Sequence, residues 1–255
     1  MTTQVSLRKD RRNRVLDYIN ARIMDGKFEP GMRLDYAILA KEIGVSSTPV
    51  REACSALESA GLVEHLPRYG MVVRKMTSGE VANLYELREL LECFAAERAA
   101  ERRTETQLAE LRRQCDNQQS MLNQMWRRDV VWSKAEIGAG WAVADVAFHY
   151  ILLEASGNSE LVRTAKQCHL LSQTCGLGFR TTVTEQEFRA GQLLTWWGHT
   201  RIYRAIQQRL PQEASRWMRW HLGGAKELMV GAAEMRHSFK AWPPGDIERV
   251  RRLEE

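Results

Sequence analysis

The chain has 255 residues, 44% of them apolar, which is enough to bury a full core and to form two domains. No run of about eighteen apolar residues occurs, and the charged N-terminus lacks the form of a signal peptide, so neither a membrane span nor export is expected and the expected location is the cytoplasm. The net charge is +5, and residues 1–76 hold 13 Lys and Arg against 9 Asp and Glu, so nearly all of the excess lies in the first third.

Arg12 to Met24 carries Val15, Ile19 and Ile23 at i, i+4 and i+8, which predicts an amphipathic first helix ending before Gly26. In front of it Arg8, Lys9, Arg11, Arg12 and Arg14 are opposed only by Asp10. Such a basic arm suits phosphate contacts, which add affinity without sequence information; a solvated helix start is the alternative for any one of them. The Pro30-Gly31 turn in GKFEPGMRLD then brings Arg33 beside the segment that follows.

That segment, Ala37 to Leu62, AILAKEIGVSSTPVREACSALESAGL, reads as a helix-turn-helix. Ile38, Leu39 and Ile43 are expected to form the buried face of a short helix, Gly44 to supply a left-handed end, and Val45 to plug the turn. Ser46, Ser47 and Thr48 are consecutive N-cap candidates for the second helix, and Pro49 is tolerable because first-turn amides have no intrahelical partner to lose. Val50, Ala53, Cys54 and Leu57 give that helix a buried stripe and leave Arg51 in its opening turns. Short donors and one Arg therefore stand at the end of a helix able to enter a DNA major groove. An ordinary helical hairpin is the alternative. Downstream, LVEHL and GMVVRK flank Pro67, Arg68 and Tyr69, with Gly70 opening the second run, a pattern expected for a β-hairpin wing.

The order PGMRL, LAKEIGVSSTPVREA, LESAGLVEHLPRYG resembles the winged-helix domain of the GntR family of bacterial transcription regulators over roughly residues 10 to 76. The resemblance implies DNA contacts from Arg33, Ser46, Ser47, Thr48, Arg51, Arg68 and Gly70. Two departures stand out: the family usually has Arg at the positions of Ser47 and Tyr69. Arg reads guanine bidentately and Ser does not, so operator preference is expected to differ from that of typical relatives. Cys54 stands where the family usually has Leu and reads as core packing. The five cysteines, Cys54, Cys93, Cys115, Cys168 and Cys175, lack CxxC spacing and are expected as reduced thiols.

Thr77, Ser78 and Gly79 form a short polar connection, expected as the boundary between a DNA-binding domain over 1–76 and an all-α domain over 80–240, with a charged tail over 241–255. The fold class expected is mostly α, a winged helix-turn-helix followed by a helical bundle. In VANLYELRELLECFAAERAAERR, Val81, Leu84, Leu87, Leu91, Phe94 and Ala95 are read on one buried side. QLAELRRQCDNQQSMLNQMW continues as a second, more polar helix. Asp129 to Gly140 reads as a loop because periodicity lapses and two glycines occur. Helices are expected from Trp141 to Ala155, Leu161 to Cys175, Glu185 to Arg209 and Pro211 to Met235, with a loop over Gly176 to Thr182 and a close at Pro243-Pro244-Gly245.

Asp145 and His149 lie four apart and so share a helix face. His199 stands 12 residues before Pro211 and His221 stands 10 after it. In an antiparallel hairpin those positions are ~18 and ~15 Å from the turn, nearly level. One carboxylate and three imidazoles from three helices suit a borderline divalent metal such as Zn²⁺, with Ni²⁺ or Mn²⁺ as alternatives; satisfied core histidines are the competing reading. DVAFHYILLEASGN and HTRIYRAIQQRLPQEASRWMRWHL resemble the FCD effector domain of one GntR subfamily, over roughly 79 to 235. The resemblance implies that the matching Asp145, His149, His199 and His221 bind metal beneath an effector pocket. Gly198 departs from the Glu often found before that His in relatives, which puts a supporting partner in doubt. Arg88, in LYELRELLE, matches a family Arg that faces the pocket and suits a carboxylate effector; a surface salt bridge with Glu92 at i+4 is the alternative. Trp196 and Trp217 precede two of the histidines and are candidates to wall one cavity, although core packing is the simpler explanation for most of the tryptophans.

The function expected is a ligand-responsive transcription regulator, a homodimer on an inverted-repeat operator, with no enzymatic activity. The alternative is a metal-dependent enzyme with a one-Asp, three-His site fused to a DNA-binding domain, since such a metal can activate water. No carboxylate near those ligands in sequence stands out as a general base.

Overall fold

The computed structural model describes residues 2–24, 26–127, 133–175 and 184–230, and two compact units divide the chain, Met1–Thr77 with His169–Thr181 and Ser78–Cys168 with Thr182–Glu255. The loop expected over Gly176 to Thr182, the Pro243-Pro244-Gly245 stop and the charged tail lie outside the described residues.

In the first unit the order is α1 (Thr2–Met24), α2 (Tyr36–Ile43), α3 (Ser47–Ser59), β1 (Val63–Leu66) and β2 (Gly70–Val73). The first helix starts earlier than Arg12, taking in the basic segment. Val15, Ile19 and Ile23 are buried and meet Leu39, Val50, Ala53, Cys54, Leu57, Leu62 and Val63 in one core. Each Val, Leu or Ile side chain among them contributes about 1.5–3 kcal/mol on burial. Ile38 is the exception to the expected face: it is 58% exposed, and in α2 only Leu39 is buried. Leu39 enters the core fully, while Tyr36, Ala40 and Ile43 pack against it partly buried.

The second unit comprises α4 (Ser78–Arg102), α5 (Glu105–Trp126), α6 (Lys134–Ala155), most of α7 (Ser159–Cys175), α8 (Glu185–Gln207) and α9 (Pro211–Val230). Among the described residues no strand follows β2. Thr104 and Thr184 each form a reciprocal capping box, with Gln107 and Glu187, which fixes where α5 and α8 begin. The segment read as a loop up to Gly140 is helical from Lys134, with Ser133 accepting from the Glu136 amide at its start. Gly140 lies in close packing, since a Cβ there would stand 3.1 Å from Met121 Sδ, and Gly138 faces Phe188, which a Cβ would meet at an ordinary contact distance of 3.8 Å. By length and composition α6 is apolar enough to cross a bilayer, but half of that stretch is buried within the protein and it carries the buried Asp145 and His149.

Packing places α4 along α9, α9 along α8, and α5 against both α6 and α8. Ion pairs from α9 to α4, Arg219 to Glu89 and Lys226 to Glu86, each at 2.9 Å, flank the α4–α9 seam. The buried face of α4 differs from the expected one: Leu87 is 41% and Phe94 45% exposed, while Tyr85, Arg88, Glu92 and Ala96 are buried with Val81, Leu84 and Ala95. A guanidinium and a carboxylate thus occupy places in the interior stripe that hydrophobicity alone assigns to Leu and Phe.

Candidate DNA-binding surface and cation site

Asp35 caps α2, its carboxylate accepting from the amides of Ala37 at 2.8 Å and Ile38 at 3.2 Å. Those two bonds hold the Asp35 carboxyl below its ordinary pKa. Gly44 ends the helix at φ 73, with open space where a Cβ would stand, so its backbone conformation, not crowding, selects glycine. Arg14 donates to the Ile43 carbonyl and Tyr18 to Glu42, tying α1 to the end of α2. Ser46 is the N-cap of α3 but makes no side-chain cap bond, so its hydroxyl is not committed to the helix. Ser46, Ser47, Thr48 and Arg51 are all exposed at this end, and the Arg51 guanidinium lies 5.8 Å from the Tyr36 ring centre.

The strands pair antiparallel, with Val63 opposite Val73 and Leu66 opposite Gly70. Arg33 sits in a third short extended segment, bridged to Val72 and flanked by backbone bonds from Gly31 to Val73 and from Leu34 to Met71. It therefore accompanies the wing rather than only the helix pair: Leu34 is buried in the core, which leaves Arg33, one residue away on the other side of an extended backbone, facing out. Arg68, exposed at the hairpin tip, has φ 67, an uncommon left-handed conformation for a side-chain-bearing residue, and Gly70 has φ 97.

In the helical unit, Asp145 and His149 on α6, His199 on α8 and His221 on α9 converge, every one buried. His149 Nε2 lies 3.2 Å from His221 Nε2 and 3.4 Å from His199 Nε2. Asp145 Oδ1 lies 3.6 Å from His199 Nε2 and 4.0 Å from His149 Nε2. A tetrahedral Zn²⁺ with bonds of about 2.0–2.1 Å needs donors about 3.3 Å apart, so this set fits a small divalent cation. Its chemistry agrees: three ring nitrogens share one buried space beside a carboxylate, and burial, reinforced by His149, pushes His221 down to about 3, keeping that imidazole neutral and able to donate a lone pair. Phe148 stacks on His199 with centroids 4.0 Å apart and planes at 9°, bracing that ring.

Arg88 resolves the two readings left open by its sequence in an unexpected way. It does pair with Glu92, Nε to Oε1 at 2.6 Å, but the pair is interior, 2% and 0% exposed. Burial works against the Arg88 charge, but Glu92, Tyr85 and Asp145 together outweigh it, so the guanidinium pKa is raised. The second Glu92 oxygen lies 2.6 Å from His149 Nδ1. Gln118, on α5, places Oε1 2.9 Å from His199 Nδ1, while its own Nε2 is buried without an acceptor. Neither Glu92 nor Gln118 was singled out beside the histidines from sequence; the available signal for Glu92 was a charged residue one turn after Arg88 on an otherwise apolar face. Trp196 and Trp217 belong to different packing groups. Trp196 packs with Leu122, Met125, Trp141 and Phe188, whereas Trp217 clusters with Trp197 and Trp220 at centroid distances of 5.1 and 6.0 Å.

A winged helix-turn-helix in one unit and a buried cluster of metal-type donors in the helical unit define a DNA-reading module joined to an all-α domain. Residues 11–73 match the family described as bacterial regulatory proteins, gntR family, and residues 83–224 match the FCD domain. The chain belongs to the GntR family, in its FCD-bearing branch, and is a DNA-binding transcription regulator of that type. It is 30% identical over 233 residues to the HTH-type transcriptional regulator LutR of Bacillus subtilis (strain 168), a match spanning 83% of this chain and 98% of that one. Its fold is shared with E. coli McbR/YncC, at TM-score 0.69 and 20% identity over 84% of this chain and 93% of that one. It is shared also with a putative GntR transcriptional regulator from Rhodococcus sp. RHA1, at TM-score 0.68 and 22% identity over 88% and 99%.

Proposed function

We propose that the helical unit binds one divalent cation, Zn²⁺ foremost with Ni²⁺ or Mn²⁺ as alternatives, through Asp145, His149, His199 and His221, and that a small carboxylate effector binds there to modulate operator affinity. The observation that carries this reading is the approach of three imidazole Nε2 atoms and one carboxylate oxygen to within 4.8 Å of one another in a buried space. A bound cation supplies Lewis acidity and an anchor for an anionic ligand. The protein's own residues hold the donors in place, and Arg88 presents a fixed positive charge next to them for the effector's carboxylate. Operator contacts come from Arg33, Ser46, Ser47, Thr48, Arg51, Arg68 and Gly70, in a cytoplasmic homodimer reading an inverted repeat. For the effector to matter it must bind one arrangement of that dimer better than another. We assign the protein no enzymatic turnover: a turnover assay on small acids with metal-loaded protein should show binding without consumption.

Metal analysis of protein purified without chelators should find close to one ion per chain. His199→Ala and His221→Ala should lose the ion, and a thermal-shift screen of small carboxylates should show stabilisation of the wild type alone. Both variants should still bind DNA, because the winged-helix unit has its own core. A metal-free wild type together with carboxylate stabilisation undiminished in both variants would overturn the proposal.

A further inference from the structure

Resting on the metal reading above, we propose that Glu92 and Gln118 are the positioning residues of the cation site, holding His149 and His199 in the tautomer that carries its proton on Nδ1, and that Glu92 joins Arg88 to the same unit. A neutral imidazole has one N–H and one lone pair, so the group accepting at Nδ1 decides whether Nε2 is free for a cation. The Nε2 atoms of both rings face the Asp145 oxygen and each other, whereas their Nδ1 atoms point away toward α4 and α5. Waiting at those outer positions are oxygen acceptors on two different helices, Glu92 Oε2 at 2.6 Å from His149 and Gln118 Oε1 at 2.9 Å from His199. Both acceptors are fully buried, so no water competes for the Nδ1 protons.

Glu92 carries a further constraint. Its Oε1 holds the Arg88 Nε–H at 2.6 Å, so both carboxylate oxygens are engaged, one by His149 and the other by Arg88. A carboxamide cannot serve both. With its oxygen toward His149, its NH2 group meets the Arg88 N–H, donor against donor. With its oxygen toward Arg88, the NH2 group meets His149 Nδ1, which must then accept, moving the proton to Nε2 and closing that ring to a cation. Gln118 has only the His199 ring to satisfy, and a carboxylate there preserves its acceptor. The position before His199 supplies no such partner: it is Gly198, with the His221 ring lying against it.

Two measurements on the full-length protein decide the matter. Two-bond ¹H–¹⁵N spectra of the histidine rings in metal-free wild type should show both His149 and His199 protonated on Nδ1, and Nε2 protonation at either ring overturns the proposal. Co²⁺ titration, read by visible absorption, should give affinities about 10- to 100-fold weaker in Glu92→Gln and Gln118→Met, with Gln118→Glu close to wild type. Wild-type affinity and spectrum in either weakened variant also overturn it. If the wild type binds no Co²⁺ the metal reading fails by itself, and the tautomer spectra, which need neither metal nor a substituted chain, still decide the positioning.

Discussion

Gly198→Ala sets two effects of similar size against each other. In a helix interior Ala is favoured over Gly by about 1 kcal/mol, which by itself predicts stabilisation. The added Cβ, however, would stand 3.1 Å from His221 Nδ1, 3.3 Å from His221 Cβ and 3.3 Å from Trp220 Cζ3. None of these is the loose end of a flexible chain: two belong to a buried imidazole and its root, and the third to a rigid indole. Overpacking of this kind costs about 1–3 kcal/mol, so the steric effect prevails and a net loss of about 1 kcal/mol is expected. In a chain of this size that lowers Tm by about 2–4 °C. Because the displaced group is His221, Co²⁺ affinity should fall in the same variant. Circular-dichroism melts of the metal-free protein and Co²⁺ titration measure the two effects separately. A higher Tm with unchanged Co²⁺ binding would refute the reasoning, showing that α9 yields freely at this point.

Arg51→Ala should cost about 1–3 kcal/mol at a site selected from random DNA and little on non-selected DNA, and Arg33→Ala should behave similarly; Arg11→Ala should weaken all sequences alike and flatten the salt dependence, as a binding series at several ionic strengths would show. Gly44→Ala forces a Cβ into the left-handed region and should destabilise the protein by about 1–2 kcal/mol in urea unfolding, with no steric contribution because the space is open. The depressed Asp35 carboxyl contributes stability that is present above its unfolded-state pKa and lost as pH falls through its folded-state value, so Asp35→Asn should lessen the acid sensitivity of the fold in a pH series of melts. Burial pushes the Cys54 thiol up to about 11 and those of Cys93 and Cys115 up to about 12, so all three should resist iodoacetamide in the native protein at pH 8 and react once it is unfolded.

Local chemistry explains what the sequence by itself determined. Gly44 and the stripe Val50, Ala53, Cys54 and Leu57 act within a turn or two of their own positions, and so does the pairing of Val63–Leu66 with Gly70–Val73. The helix-turn-helix and its wing were legible for that reason. The four-residue spacing of Asp145 and His149, and the matched distances of His199 and His221 from Pro211, likewise follow from helical periodicity alone. Tertiary structure decided what periodicity cannot rank. Leu87 and Phe94 fit the apolar pattern of α4 as well as Arg88 and Glu92 contradict it, yet the charged pair is inside and the apolar pair is exposed. The glycines at 138 and 140 read as loop residues until Phe188 and Met121 are seen packed against them. Glu92 and Gln118 reach rings 57 and 81 residues away in the chain. A buried charge or amide is tolerated only where its partners stand, and those partners come from other helices, so the reason for its burial exists only once the bundle has assembled.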